Sequence, residues 1–320
     1  MTAARTAASM AAVLLAQRLV DVPDAAPFTA REVWSVLERV DDLAALIGAD
    51  AAHVSDAASV DVATAERIVR RFDAATVVAF ELDDLAQSGV RVLTPFDAEF
   101  PGVLAERLGT AAPTLLHIAG DPLLLARDLI GIVGSRDVSE GGTDAARAVA
   151  GEAARHGYGT VTGGGMRGVD RAAMQASLEA GGVTVGVLAD PLTRTLRDPE
   201  TRRAILSGAA CLCTPFTPTA PFSEANATAR NKVMYALASA VVVVASDNGT
   251  GSTWAGATEA MDRGFGRVVA WTAGGAGPGN RELVARGALA LDRADALFPL
   301  DDLTAAHPTT DVEDQLGFGV

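Results

Sequence analysis

The sequence predicts an α/β fold: a mainly parallel sheet covered by helices on both faces, preceded by a small helical N-terminal domain. Three observations predict it. The hydrophobic spacing is helical up to about residue 88 and changes at Val90 to short apolar runs alternating with helical stretches. Two glycine-rich junctions, each leaving an apolar run and opening a helix, lie close together between residues 130 and 175. Hydrophobic residues make up 49% of the chain and aromatic residues only 5%, with alanine and valine dominating, as suits helices packed on a buried sheet.

In chain order, helices are predicted over Ala4–Leu19, Ala30–Val40, Leu43–Ile47 and Ala63–Ala74, broken by Pro23, Pro27 and Gly48. Thr29 with Glu32 has the spacing of a capping box. Strands are predicted at Arg91–Leu93, Thr114–Ile118, Leu129–Val133, Gly159–Thr162, Val183–Leu188, Ala209–Leu212, Ala240–Ala245 and Arg267–Trp271. Helices are predicted at Gly142–Arg155, Arg171–Ala180, Pro199–Ser207, Ala229–Ser239, Thr253–Asp262 and Arg281–Arg286. The domain boundaries read 1–88, 89–290 and, beyond them, an acidic and flexible tail over 291–320 that holds Asp301, Asp302, Asp311, Glu313 and Asp314.

The first junction is Ile132-Val133-Gly134-Ser135-Arg136, and the second runs from Val161 through Gly163-Gly164-Gly165-Met166-Arg167-Gly168 to Asp170. Glycine lets a ligand approach the backbone and reaches positive φ without strain. A helix opening there offers unpaired N–H groups and the positive end of its dipole, and an adjacent arginine adds a bidentate phosphate donor. Both junctions therefore read as phosphate-holding, although tight βα turns also use glycine for geometry alone. Neither matches the dinucleotide fingerprint, and no GxxxxGK[ST] occurs, which argues against P-loop chemistry.

The formal charge of −14 argues against indiscriminate binding of polyanions over the whole surface. A local basic groove remains compatible with it, because salt screens fields beyond about 8–10 Å. Arg136, Arg167, Arg171, Arg230 and Lys232 in the central segment supply candidates. Cys211 and Cys213 read as small buried residues of a cytoplasmic protein, not as a metal or redox site. No apolar run reaches the ~20 residues needed to span a bilayer, so no membrane association is expected.

Further segments resemble those of the DprA/Smf (DNA-processing protein A) family. Phe96-Asp97-Ala98-Glu99-Phe100-Pro101, followed by Ala112-Pro113-Thr114-Leu115-Leu116, is similar to the entry of the family's Rossmann-like domain, which leads to a V-G-S-R strand, here Val133–Arg136. Thr162–Leu178 resembles the family's S-G-G/L-A-x-G-I-D-x-x-A-H-x-x-A-L stretch, Arg230-Asn231-Lys232 its R-N-R segment, Gly249–Ala255 its S-G-S/T-x-x-T-A element, and Gly279–Ala288 its G-x-N-x-L-I-x-x-G-A ending. The resemblance is collinear over about residues 91–290.

It implies a Rossmann-like domain behind an N-terminal domain of the SAM or helix–hairpin–helix type. It also implies a cytoplasmic, non-enzymatic protein without a cofactor that binds single-stranded DNA, loads a recombinase in natural transformation, and forms a homodimer. Carried over, Gly134, Ser135, Arg136, Gly163, Gly164, Gly165, Arg167, Gly168, Asp170, Arg230, Asn231, Lys232, Gly251 and Ser252 would hold the phosphate backbone. Phe216, Phe222, Tyr235 and Trp254 are stacking candidates, and the apolar run Val233–Ala238 is a candidate self-association surface.

The sequence also departs from the family pattern. Met174 stands in place of a histidine, Lys232 in place of the second arginine of R-N-R, and Asn226–Ala229 in place of the usual F-P. The alternative reading is a related nucleotide-sensing, antitoxin or antiphage immunity protein that acts through a cognate partner protein. Gly163–Gly165 and Gly249–Thr253 with Glu259 loosely resemble phosphoribohydrolase motifs, in which a glutamate supports N-glycosidic cleavage. Here Pro-Gly-Gly is missing, and Glu259 follows Gly251 by eight residues.

Overall fold

The computed structural model describes residues 5–165 and 167–303. Five helices open the chain: α1 (Ala7–Ala16), α2 (Ala30–Leu37), α3 (Ala51–Ala58), α4 (Val62–Asp73) and α5 (Ala75–Gln87). Thr6, Thr29, Asp50 and Asp61 cap the first four through side-chain oxygens, and Thr29 with Glu32 closes the expected capping box. α3 and α5 were not expected from the sequence. α5 fully buries only Val78, so its hydrophobic period is faint. Arg71, 1% exposed, ties this region together by donating to the carbonyls of Leu14 at 2.8 Å and Gln17 at 2.6 Å. Burial holds its guanidinium down to about 10. Trp34 Nε1 donates to the Ala112 carbonyl at 2.8 Å and Arg5 to the Val92 carbonyl at 2.8 Å, seating the helices on the sheet edge.

The sheet comprises β1 (Arg91–Leu93), β2 (Leu116–Gly120), β3 (Leu129–Gly134), β4 (Gly159–Thr162), β5 (Thr184–Val187), β6 (Ala210–Thr214), β7 (Ala240–Ala245), β8 (Val268–Trp271) and β9 (Leu289–Leu291). Their spatial order is β1-β2-β6-β5-β4-β3-β7-β8-β9. β1–β2 and β2–β6 pair antiparallel, and the other pairs are parallel, as the mainly parallel expectation requires. The connecting helices are α6 (Val103–Leu108), α7 (Glu140–Arg155), α8 (Gly168–Glu179), α9 (Leu192–Thr195), α10 (Pro199–Leu206), α11 (Glu224–Leu237), α12 (Gly251–Arg263) and α13 (Asn280–Ala285).

Both faces of the sheet are covered, and successive residues of a strand serve opposite faces. Val241 and Val243 pack with residues of α11 and α12, whereas Val242 and Val244 pack with residues of α7 and α8. The same rule places Cys211 and Cys213, two residues apart on β6, on one face, both buried and unpaired. Burial pushes the Cys211 thiol up to about 12, which keeps it protonated and unreactive.

The chain steps outward from β3 through β4 and β5 to β6, then returns to lay β7 on the other side of β3. That reversal creates a switch point beyond the C-terminal ends of β3, β4 and β7, where open α/β sheets hold ligands. The expected tail boundary needs correction: β9 and residues 294–303 belong to the folded body. Leu297 is fully buried, and Phe298 stacks on His156 with ring centroids 4.4 Å apart, because three apolar side chains in that stretch find a site on α7. Residues 304–320, with Asp311, Glu313 and Asp314, and residues 1–4 lie outside the described residues.

Candidate functional site

A cleft of about 690 Å³ lies at the switch point. Of the residues singled out from the sequence, Gly134, Ser135, Arg136, Gly163, Gly165, Asp170, Arg230, Asn231, Gly251 and Ser252 line it. β3 ends in Gly134, where a side-chain methyl would fall 2.6 Å from Val169 Cγ2, so only glycine lets the first junction close on α8. Ser135 N–H then donates to the Ala245 carbonyl at 3.0 Å, locking this junction to the end of β7.

Arg230, on α11, reaches the cleft floor with 8% exposure and donates from Nη1 to the Val187 carbonyl at 2.6 Å. Its Nε is buried without a hydrogen-bond partner among the described residues. A methyl at Gly163 would fall 2.2 Å from Arg230 Nη1 and 2.5 Å from Asp170 Oδ2, so this glycine makes room for both charges. Asp170 accepts from the Gly165 N–H at 3.1 Å and thereby shapes the triple-glycine turn. Burial raises the Asp170 carboxyl above its ordinary range, and the nearby Arg230 guanidinium opposes that rise. Burial lowers Arg230, opposed chiefly by Asp170, and a guanidinium retains its proton throughout.

Arg136 is poised at the rim. Its guanidinium lies 4.4 Å from the Phe222 ring centroid, and its Nη2 is 3.4 Å from Asp190 Oδ2. On the opposite wall α12 begins at Gly251 after Thr250, whose side chain makes no capping bond. The first-turn N–H groups of Gly251, Ser252 and Thr253 thus open onto the cleft. Asn231 supports this turn by donating from Nδ2 to the Ser252 carbonyl at 2.7 Å.

The helix after the first junction behaves differently from expectation. α7 is capped by its own Ser139, which accepts from Gly142 N–H at 3.2 Å, so its N-terminus is already satisfied. α8 starts against the first junction, with Val169 N–H donating to the Ser135 carbonyl at 3.3 Å. α8 also lacks a side-chain cap, but it is the first turn of α12, Gly251–Thr253, that lines the cleft.

Four residues expected in the pocket lie outside its lining. Gly164 turns under Leu188, and Gly168 presses on the Ser135 and Arg136 backbone, so both act as geometry. Arg167 is exposed on the surface, 3.8 Å from Asp137. Lys232 points to the other side of α11 and pairs with Glu259 at 3.1 Å. Glu259 also holds Arg263 at 3.4 Å and does not line the cleft, which removes it as a candidate cleavage residue.

Among the stacking candidates, Phe222 stands at the rim, 39% exposed, and Tyr235 lies in the floor with its hydroxyl buried and without a hydrogen-bond partner among the described residues. Trp254 belongs to the core. So does the whole run Val233–Ala238, which therefore offers no self-association surface. Sequence reasoning missed Asp190, and it met Asn280 within the Gly279–Ala288 motif without assigning it a role. Asn280 is 1% exposed and clamps β7 to β8, donating to the carbonyls of Val243 and Trp271 and accepting from Ser246 N–H.

His117 on β2 is 3% exposed, and burial lowers it to about 4. It is neutral when folded but free to protonate when unfolded, so stability is complete above the ordinary histidine value near 6.5 and falls as pH drops toward 4. Urea unfolding at pH 7.5 and pH 5 should differ by about 1–2 kcal/mol. His117→Phe should flatten the slope in that window; an unchanged slope would show that other groups produce it.

The model of the DNA recombination-mediator protein A family matches residues 91–300. The putative DNA processing protein DprA of Mycobacterium tuberculosis (strain H37Rv) is 30% identical over 235 residues, covering 68% of this chain and 59% of that protein. The chain thus spans less than two thirds of that relative's length. Among solved structures, DNA processing protein A from Streptococcus pneumoniae superposes with a TM-score of 0.60 at 19% identity, covering 88% of this chain and 99% of the other. DNA processing protein A from Helicobacter pylori, which has a unique single-stranded-DNA binding mode, superposes with a TM-score of 0.53 at 19% identity, over 67% of this chain and 97% of the other. At those identities the structural likeness concerns the fold. The family model, which covers most of the chain from β1 onward, establishes that this chain belongs to the DNA recombination-mediator protein A family.

Proposed function

We propose that this chain holds single-stranded DNA by its phosphate backbone in the switch-point cleft, in a DNA-processing or recombination-related role and without catalysing a reaction. The observation that carries this reading is Arg230, a buried guanidinium with an unpartnered Nε, opposite the uncapped start of α12. A buried cationic donor left unpaired is costly, and a phosphate oxygen would satisfy it while meeting the helix N–H groups. Family membership supports the same reading and extends it to loading of a recombinase and to self-association through a surface other than Val233–Ala238.

Fluorescence anisotropy with labelled dT20 and a duplex of equal length, at two salt concentrations, tests it. Arg136→Ala should weaken dT20 binding about tenfold and reduce the salt slope by about one. Asp190→Asn, which removes a carboxylate competing for Arg136, should tighten binding. Equal affinity for dT20 in wild type and Arg136→Ala would remove this cleft from the reading.

A second reading, a nucleotide-sensing protein acting through a partner protein, is favoured by the carboxylates of Asp137, Glu224 and Asp247 in the lining, which repel a strand leaving the cleft. It requires affinity to be flat from dTMP to dT20, whereas strand binding requires affinity to grow with length.

A further inference from the structure

We propose that the strand held in the switch-point cleft continues across α11 into a second cleft, where the N-terminal helices supply part of its binding site. This rests on the single-stranded-DNA reading above. The second cleft, of about 520 Å³, opens where α11, the loop after β6, β2 and the α1–α2 connection converge.

Its charge is what points to the occupant. The first cleft sets Arg136 and Arg230 against Asp137, Asp170, Glu224 and Asp247. The second is lined by Arg18 and Lys232 and by no carboxylate among the described residues, in a chain of net charge −14. Its walls mix the apolar Phe216, Phe28 and Leu115 with Thr29, Thr114, Thr217 and Asn226. The half-buried Phe216 ring near two cations suits a nucleotide, with base against the ring and phosphate at the mouth. His117 also lines it; its ring is buried and neutral, and neither nitrogen has a hydrogen-bond partner among the described residues.

Continuity between the clefts comes from shared elements. On α11, Thr228 and Arg230 face the first, and Ala229 and Lys232 the second. The loop after β6 contributes Phe216 to the second and reaches the first at Phe222. A helix with its side chains is about 10–12 Å across, a ridge that a few nucleotides span. Lys232, turned out of the first cleft and paired with Glu259, would meet the strand on the far side by exchanging that carboxylate for a phosphate. Arg18 is exposed, and no ion pair engages it among the described residues.

The test compares wild type with Arg18→Glu, Phe216→Ala and Arg136→Ala, each checked for an unchanged melting temperature, using labelled dTMP and dT20. Arg18→Glu should weaken dT20 about tenfold and lower the salt slope by about one, while leaving dTMP unaffected. Phe216→Ala should also weaken dT20 about tenfold. If both variants bind dT20 like wild type while Arg136→Ala weakens it, the strand path is overturned and the first cleft stands. If Arg18→Glu weakens dTMP as much as dT20, the second cleft takes a free nucleotide and the path is likewise overturned. Wild type that does not bind dT20 overturns both readings together.

Discussion

Arg230→Met is expected to weaken dT20 binding about 100-fold and to destabilise the fold by about 3 kcal/mol. On the proposed reading, the binding loss follows from removing the buried cation at the cleft floor, whose charge-assisted bonds to phosphate would have no water-exposed substitute. The stability loss has two sources: the bond to the Val187 carbonyl disappears, and Asp170 loses the guanidinium that favours its charged form. The pH dependence then separates them. Burial raises the Asp170 carboxyl, so its contribution to stability is complete below the ordinary carboxylate value and is lost as pH rises through the raised one. Removing Arg230 raises it further, so the variant should recover part of its deficit on acidification. Arg230→Lys should retain charge but lose the fork that reaches two partners, and fall between the two. Denaturant melts across pH, with anisotropy on the folded fraction, would check this; a folded Arg230→Met that binds like wild type would exclude the proposed role.

Gly168→Ala should cost about 3–4 kcal/mol, seen as a lower urea midpoint with an unchanged slope. Its φ is +69°, and a methyl there would fall 2.5 Å from the Ser135 carbonyl oxygen and 2.7 Å from Arg136 Cα. Left-handed backbone alone accounts for about 1–2 kcal/mol, and the remainder comes from pushing two backbone segments apart. Gly181→Ala is the control: φ is +76°, but nothing lies within 4 Å, so only the first part applies. Equal costs at the two positions would show that close approach of the junctions contributes nothing.

Much of the fold was legible because its signals are local. Runs such as Ala240–Ala245 have no polar residue, sit between turn residues, and become central buried strands. β9 was not legible: Leu289–Leu291 adjoins the stretch that read as tail, and its strand pairing is decided by the edge that β8 offers. α5 was missed for a related reason, since a helix that buries little shows little pattern. The segment 294–303 read as tail because Asp295, Asp301 and Asp302 join it to the acidic stretch that follows, whereas Leu297, Phe298, Leu300 and Leu303 decide its place.

What the sequence by itself determined is the succession of strands and helices and the two glycine junctions, since backbone freedom at glycine and hydrophobic period are properties of neighbouring residues. Tertiary structure alone decided which of the flagged groups meet. Arg230 and Lys232 are two residues apart, hence about 200° around a helix, so packing of α11 on the sheet sends one into the cleft floor and the other to Glu259. Both junctions precede helices, yet Ser139 satisfies α7 while α12, far along the chain, opens its N-terminus onto the ligand space. That choice follows from the return of the chain to place β7 beside β3: the site belongs to the switch point, and a switch point exists only once the strand order does.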